Sequence, residues 1–133
     1  MKEIVFQYRV LENVSALSTE DAQLLIKARA ATAKAYAPYS QFQVGAVALL
    51  NNGETIEGTN QENASYPVGI CAERVLLSAV SSFYNGVAIK TIAISCHNLK
   101  GESKNPVSPC GICRQSLLEQ TIRQHQPIKL ILS

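Results

Sequence analysis

Residues 71–96, CAERVLLSAVSSFYNGVAIKTIAISC, combine a cysteine, a helical pattern, a turn and an apolar run in that order. The apolar side chains of the first half recur on one side of a helix, namely Val75, Leu76, Ala79, Val80 and Phe83. Asn85-Gly86 is typical of a helix end with a left-handed residue, and Ile89–Cys96 is rich in strand-forming residues. This stretch therefore predicts a helix over Cys71–Tyr84 followed by a buried strand.

Residues 109–132, PCGICRQSLLEQTIRQHQPIKLIL, repeat the same order. We predict a helix over Gly111–Gln124, which Pro127 ends, and a buried strand over Ile128–Leu132. Two strand–helix–strand units are typical of an α/β fold. Their right-handed crossovers would place both cysteine-bearing helix starts at the same end of the sheet.

Two further elements precede this core. A helix is predicted to begin at Ser18 or Thr19 and to end near Tyr36, because Pro38 cannot continue it. A hairpin over residues 44–59 is predicted from two apolar strands joined by an Asn-Asn-Gly turn. Together the elements predict a mixed β-sheet covered by helices in an α/β/α layered arrangement.

The first residues show a strand-like alternation. Ile4, Phe6, Tyr8 and Val10 lie two apart, so we predict an extra N-terminal strand over Glu3–Leu11. We take residues 1–17 as an N-terminal extension of a single domain that spans residues 1–133.

Composition excludes several classes of protein. The chain of 133 residues is 47% hydrophobic and 17% charged, which is typical of a folded globular domain. It has no long apolar run that could cross a membrane and no signal-peptide h-region. The net charge is +2, with no basic run and no Trp, which argues against a nucleic-acid partner. We therefore expect a cytoplasmic protein without membrane or nucleic-acid partners.

Three of the four cysteines lie at the starts of the last two predicted helices. Cys110 and Cys113 are three apart, and Cys71 begins the other helix. Helix N-termini favour thiolate over thiol, and three sulfurs leave one tetrahedral position of a zinc ion open for water. The pattern therefore indicates a catalytic zinc site with one Zn²⁺ per chain.

Two charged residues follow Cys71. Glu73 lies in the first helical turn, where a carboxylate could exchange protons with a water at the metal without binding the metal itself. A zinc ion with three thiolates carries a net negative charge, so Arg74 could act on the ligand sulfurs by hydrogen bonding. Alternatives for the cysteines are a closed structural zinc site, plain buried thiols, or a redox Cys-x-x-Cys pair.

Four segments resemble the small cytidine deaminase family of the homotetrameric, three-cysteine zinc type. They are residues 37–46 (APYSQFQVGA), 60–66 (NQENASY), 71–74 (CAER) and 108–115 (SPCGICRQ). The Cys-Ala-Glu and Pro-Cys-x-x-Cys pieces correspond to the signature of zinc deaminases. The resemblance covers nearly everything from about Ser18 onward and leaves out the predicted N-terminal strand.

The resemblance implies a role for each matching residue. Zinc would be bound by Cys71, Cys110 and Cys113, and Glu73 would be the proton shuttle. The nucleoside would be held by residues of the other segments, namely Phe42, Asn60, Gln61, Glu62 and the backbone of Ala72. Asn60 and Glu62 in particular would contact the ribose hydroxyls.

The implied activity is the hydrolytic deamination of cytidine or deoxycytidine to uridine or deoxyuridine with release of ammonia, a step of pyrimidine salvage. Alternatives are a deaminase of another aminated nucleoside or nucleobase, and a non-catalytic zinc-binding paralogue. The resemblance also implies a homotetramer. Family members usually continue past the last strand with another strand and a tail. We therefore expect a truncated chain, or an N-terminal strand that covers the exposed sheet edge.

Overall fold

The computed structural model describes residues 1–133, which form one four-stranded sheet and three α-helices. The elements in chain order are α1 (Thr19–Ala31), β1 (Phe42–Leu50), β2 (Thr55–Thr59), α2 (Ala72–Phe83), β3 (Ile89–Asn98), α3 (Gly111–Gln124) and β4 (Lys129–Leu132). Every helix and strand predicted after residue 17 is present. The main difference in bounds is α1, which passes into a short 3₁₀ turn over Thr32–Lys34 before reaching Tyr36.

The sheet is mixed, with the strand order β2-β1-β3-β4. β1 pairs antiparallel with both β2 and β3, and β3 pairs parallel with β4. The β1–β2 hairpin turns at Gly53, whose φ of 86° suits a residue without a Cβ. Since β2, β3 and β4 all run in one direction, their carboxyl ends lie at the same end of the sheet.

Helices cover both faces of the sheet, as the sequence predicts. On one face α1 packs through Leu24, Leu25, Ala28 and Ala31 against Val47, Leu49 and Ala93. On the other face the core includes Leu76 and Val80 of α2, Leu117 of α3, and sheet residues such as Leu50 and Ile92. The α/β/α layered prediction is therefore confirmed.

The start of α1 is fixed by its cap and by ion pairs to the sheet. The Ser18 hydroxyl accepts a hydrogen bond from the Asp21 backbone N–H at 3.2 Å. The Asp21 carboxylate lies 2.7 Å from Lys129 Nζ at the start of β4, and Glu20 lies 2.7 Å from Lys90 in β3. These contacts orient α1 along the sheet.

The predicted N-terminal strand over Glu3–Leu11 is wrong. The structure has neither helix nor strand in residues 1–11, and the four alternating side chains Ile4, Phe6, Tyr8 and Val10 are 79–85% exposed. Alternation selects which side chains share a face, but a strand also needs a neighbouring strand to accept its backbone hydrogen bonds. No strand of this sheet pairs with the segment.

No helix in the structure combines the length and the apolar character needed to cross a bilayer.

Candidate active site

The site lies at the end of the sheet where β2 and β3 finish and where α2 and α3 begin. Cys71 is the N-cap residue of α2, and Cys110 is the N-cap residue of α3. Neither helix start has a side-chain cap of the usual kind, so the sulfurs occupy the positions where a capping oxygen would lie. The parallel direction of the strands brings together two cysteine segments that are 39 residues apart in sequence.

The three sulfurs form a compact cluster. Cys71 Sγ lies 3.8 Å from Cys110 Sγ, which in turn lies 3.5 Å from Cys113 Sγ, and all three fall within 4.8 Å of one another. Four ligands at the usual Zn–S distance of about 2.3 Å would have sulfurs about 3.8 Å apart in a tetrahedron. The cluster therefore fits Zn²⁺, and its three protein ligands match the open type of site rather than the closed structural type.

The three thiols differ in their surroundings. The Cys113 backbone N–H donates to Cys110 Sγ and lowers the pKa of the Cys110 thiol. Burial raises the pKa of the Cys71 thiol, and burial together with the Glu73 charge raises the pKa of the fully buried Cys113. A cation among them would stabilise all three thiolates, so the cluster releases protons when it takes up metal.

Glu73 is a buried carboxylate with no hydrogen-bond partner. Its relative exposure is 6%, and its carboxylate accepts no hydrogen bond from the protein. It nevertheless lines a cavity of about 190 Å³ beside the thiols. Its oxygens are not among the fully enclosed side-chain atoms that lack a partner, so the carboxylate reaches the cavity, where water or a ligand can bind it.

The cavity brings together five of the predicted site residues, Asn60, Cys71, Ala72, Glu73 and Cys110. The fully buried Cys113 completes the thiol cluster behind it. The backbone N–H groups of Ala72 and Glu73, in the first turn of α2, have no acceptor, as expected for a helix start. They are free to donate to a ligand.

Seven further residues line the cavity and were not predicted, namely Val44, Ile94, Ser95, Cys96, Val107, Ser108 and Ser133. The strand residues among them are brought to the site by the pairing of β1 with β3, in which Val44 lies opposite Cys96. Strand register is a long-range property, so only the adjacency of Ser108 to Cys110 could have been seen in the sequence.

Asn60 holds the edge of the cavity through its side chain. Its Oδ1 accepts from the Val44 backbone N–H at 2.7 Å, and its Nδ2 donates to the Phe42 backbone carbonyl at 2.9 Å. An amide has two donor hydrogens and two acceptor lone pairs, so one of each is left. Asn60 therefore ties the end of β2 to β1 and still has capacity for a ligand.

Glu62 fixes the turn that precedes β1. Its carboxylate accepts from the Tyr39 N–H at 2.8 Å, from the Ser40 N–H and from the Ser40 hydroxyl. The Ser40 hydroxyl is the main cause that lowers the pKa of Glu62. Asn60 and Glu62 thus both reach toward residues 39–44.

The remaining predicted residues lie outside the cavity lining. Phe42 is half-buried at the start of β1 opposite Asn98, and Gln61 pairs through its backbone with Ile70 at 2.9 Å in both directions. Arg74 follows Glu73 in α2, but its guanidinium forms no hydrogen bond with the three sulfurs. The predicted action of Arg74 on the sulfurs is therefore not part of this structure.

Gly58 of β2 lets the helix that carries the site approach the sheet. A Cβ at this position would lie 2.5 Å from Leu76 N and 2.6 Å from the Ala72 carbonyl oxygen. Both atoms belong to the backbone of α2, and ordinary contacts of carbon begin near about 3.5 Å. The absence of a side chain at Gly58 thus sets the position of Cys71 and Glu73 relative to the sheet.

Several known proteins are similar to this chain in sequence and fold. A sequence profile described as "Cytidine and deoxycytidylate deaminase zinc-binding region" matches residues 18–126. A cytidine deaminase of Halalkalibacterium halodurans is 45% identical over 100 residues, which are 74% of this chain and 71% of that protein. A cytidine deaminase of Mycobacterium tuberculosis is 43% identical over 89 residues, 67% of this chain and 62% of that protein.

The crystal structure of cytidine deaminase from Burkholderia pseudomallei superposes with a TM-score of 0.70 at 37% identity, covering 88% of this chain and 85% of that one. The matched profile spans every element from α1 to α3 and all three cysteines. The three-thiol cluster fits the zinc that the profile describes. The chain therefore belongs to the cytidine and deoxycytidylate deaminase family of zinc-binding proteins.

Proposed function

We propose that this chain is a zinc-dependent enzyme that converts cytidine or deoxycytidine and water to uridine or deoxyuridine and ammonia. The observation that carries the proposal is Glu73, a buried carboxylate without a protein partner that lines the cavity beside the three thiols. The names of the similar proteins support the choice of substrate.

Cys71, Cys110 and Cys113 would hold the metal. When bound, Zn²⁺ supplies the Lewis acidity that makes a water molecule nucleophilic near neutral pH. The free N–H groups at the start of α2 suit the pyrimidine carbonyl, because they are donors with no protein acceptor at the cavity wall. Ala72 would supply one of them.

Glu73 would move the protons of the reaction. It takes a proton from the attacking water and gives it to ring N3, while the water oxygen bonds to C4. Glu73 then carries the second proton of that water to the exocyclic amino group, and the C–N bond breaks with release of ammonia. Every proton that the leaving amine needs comes from the attacking water, so Glu73 ends in its original ionised form.

Asn60 and Glu62 would bind the ribose hydroxyls. Asn60 keeps one donor and one acceptor after its two bonds to β1. A carboxylate can accept about four hydrogen bonds, and Glu62 accepts three from Tyr39 and Ser40, so it can accept about one more. A hydroxyl can donate to the carboxylate and accept from the amide. The bonds within the protein hold both groups in place before substrate arrives, which lowers the entropy cost of binding.

Three further roles complete the proposed site. Phe42 packs on the nucleoside, Gln61 contributes to the substrate-binding loop, and Arg74 moves onto the ligand sulfurs when they carry charge. Each rests on position alone, since Phe42 begins β1 beside Asn60 and Arg74 lies one residue beyond Glu73. Only Arg74 would have to move from the place it has in the structure.

The proposed assembly is a homotetramer in the cytoplasm. Large apolar side chains remain uncovered on one chain, among them Ile112, Leu118 and Ile122 of α3 at 54–62% exposure and Phe83 at 78%. Exposed apolar clusters of this kind are typical of surfaces that contact another protein.

An ultraviolet assay of cytidine loss tests the reaction. The zinc-loaded protein should consume cytidine and release one ammonia for each uridine formed, and a strong chelator should stop turnover until zinc is restored. Cytosine, which lacks ribose, should react far more slowly because Asn60 and Glu62 are then left without their partner. Faster release of ammonia from cytosine than from cytidine would favour a nucleobase deaminase. Zinc binding without turnover of any aminated base would favour a non-catalytic paralogue.

A further inference from the structure

The turn before β1 contains a backbone conformation that its residue type rarely adopts. The only residues other than glycine with a positive φ are Gln41, at 56°, and His125, at 54°. This left-handed region is costly for any residue that has a Cβ. A residue stays in it where the surrounding contacts require it, and such residues occur often at binding and active sites.

The backbone contacts of Gln41 show what requires its conformation. Its N–H donates to the Ala37 carbonyl at 3.0 Å, which closes residues 37–41 into a single helical turn. Its carbonyl accepts from the Leu99 N–H at 3.0 Å, at the start of the loop that leads to α3. A left-handed residue commonly ends a helical turn in this way. The chain therefore reverses at Gln41 and enters β1 at the next residue.

The start of the same turn binds Glu62. The first N–H groups of a helical turn have no acceptor within the turn. Here the Tyr39 and Ser40 N–H groups donate to the Glu62 carboxylate at 2.8 and 3.2 Å. The Ser40 hydroxyl also donates to that carboxylate, and it accepts from the Phe42 N–H at 3.0 Å. The donors that fix Glu62 are thus tied to both sides of Gln41.

We propose that Gln41 is a positioning residue for recognition of the ribose, because its left-handed backbone holds the Glu62 carboxylate in its binding orientation. The inference rests on the proposed function, in which Glu62 binds a ribose hydroxyl. A turn that leaves this conformation withdraws donors from Glu62, so fewer molecules are ready to bind the sugar. KM then rises by that fraction, whereas the molecules that do bind react at the original rate.

The test replaces Gln41 by residues that differ in their tolerance of the left-handed region. Gln41→Val introduces a β-branched side chain, for which this region is least favourable, whereas Gln41→Gly removes the cost. In the zinc-loaded protein, Gln41→Val should raise KM for cytidine by about five- to tenfold and change kcat by less than about twofold. Gln41→Gly should keep the original KM. Gln41→Thr, which is β-branched but polar, repeats the test if the valine variant folds poorly.

Two results would overturn the proposal. The first is an unchanged KM in the folded valine and threonine variants, which would show that the left-handed backbone is not needed. The second is an equal rise of KM in Gln41→Gly and Gln41→Val, which would show that the amide side chain is the part required.

His125→Val is the matched control. His125 is the left-handed C-cap residue of α3, at the opposite end of that helix from Cys110. Both valine variants should lower the thermal midpoint, since both place a β-branched residue in the left-handed region. Only Gln41→Val should raise KM. A similar rise of KM in His125→Val would attribute the effect to lost stability and refute the positioning role.

Calorimetric titration with uridine separates this inference from the proposed reaction, because uridine carries the ribose and needs no turnover. Gln41→Val should weaken uridine binding by about five- to tenfold and leave the binding of uracil, which lacks the sugar, unchanged. This result in a protein that does not deaminate cytidine would reject the reaction and support the role of Gln41. Equal weakening of uridine and uracil would overturn the role in ribose recognition, and a protein that binds no nucleoside would overturn both proposals.

Discussion

Replacing Gly58 by Ala should lower activity, although Gly58 itself does not line the active-site cavity. The added Cβ would lie 2.5 Å from Leu76 N and 2.6 Å from the Ala72 carbonyl oxygen, both in the backbone of α2. Since ordinary contacts begin near about 3.5 Å, α2 must retreat by about 1 Å. Because α2 carries Glu73 and follows its N-cap residue Cys71, the same retreat moves this carboxylate and one thiol away from the other two thiols.

The expected magnitude has two parts. Overpacking of this kind costs about 1–3 kcal/mol of the free energy of unfolding. A displacement of about 1 Å at reacting groups can cost about a hundredfold in rate. We therefore expect Gly58→Ala to remain folded at low temperature, with a lowered thermal midpoint and with kcat/KM for cytidine reduced by about a hundredfold.

Gly45→Ala supplies the matched control. A Cβ there would lie 2.4 Å from the Ala28 carbonyl oxygen and 2.8 Å from Thr32 N, so it pushes α1 on the opposite face of the sheet. Denaturant unfolding should give both variants a similar loss of stability, and steady-state kinetics should separate them. If folded Gly58→Ala keeps full kcat/KM, or if Gly45→Ala loses as much, the claim that Gly58 positions the site is refuted.

Three further changes probe single groups of the site. Cys110 is exposed, so Cys110→Ser should leave the fold intact. The zinc content after dialysis should fall well below one per chain, because the site loses a soft thiolate ligand. Full retention of zinc would contradict the proposed ligands. Asn60→Ala should lower the free energy of unfolding by about 1–3 kcal/mol because it leaves the Val44 N–H and the Phe42 carbonyl unpaired, and an unchanged denaturation midpoint would argue against that bracing role. The lowered pKa of Glu62 means that its stabilising contribution is fully present above the ordinary value of 4.5 and is lost as the pH falls through the lowered value. The difference in thermal midpoint between the unchanged protein and Glu62→Gln should therefore shrink on acidification, and a difference that grows would reverse the sign of the argument.

Much of the fold could be predicted because local chemistry marks its elements. The turn residue Gly53, the cap at Ser18 and the helical spacing in residues 71–84 are readable within a few positions of one another. Their bounds agree with the structure to within a few residues. The common direction of β2, β3 and β4 followed from the crossover rule, and it was enough to predict that Cys71 and Cys110 would meet.

The features of the structure that depend on residues distant in sequence could not be predicted. The alternation in residues 3–11 looks like that of a true strand, yet no strand of the sheet pairs with it. The cavity position of Ser95 follows from the register of β1 with β3, and the part that Gly58 plays follows from how closely α2 packs on β2. None of these leaves a local mark in the sequence, because each depends on a partner distant along the chain.

The most direct test of the central claim is the steady-state rate of zinc-loaded Glu73→Gln with cytidine. Gln has nearly the same shape as Glu but cannot take up a proton, and the Glu73 carboxylate accepts no hydrogen bond from the protein whose loss could disturb the fold. The account predicts one zinc per chain and a kcat lower by about 10²- to 10⁴-fold. The thermal midpoint should change only by the small amount expected from removing one buried charge. A Glu73→Gln variant that binds zinc and turns over cytidine at the original rate would contradict it.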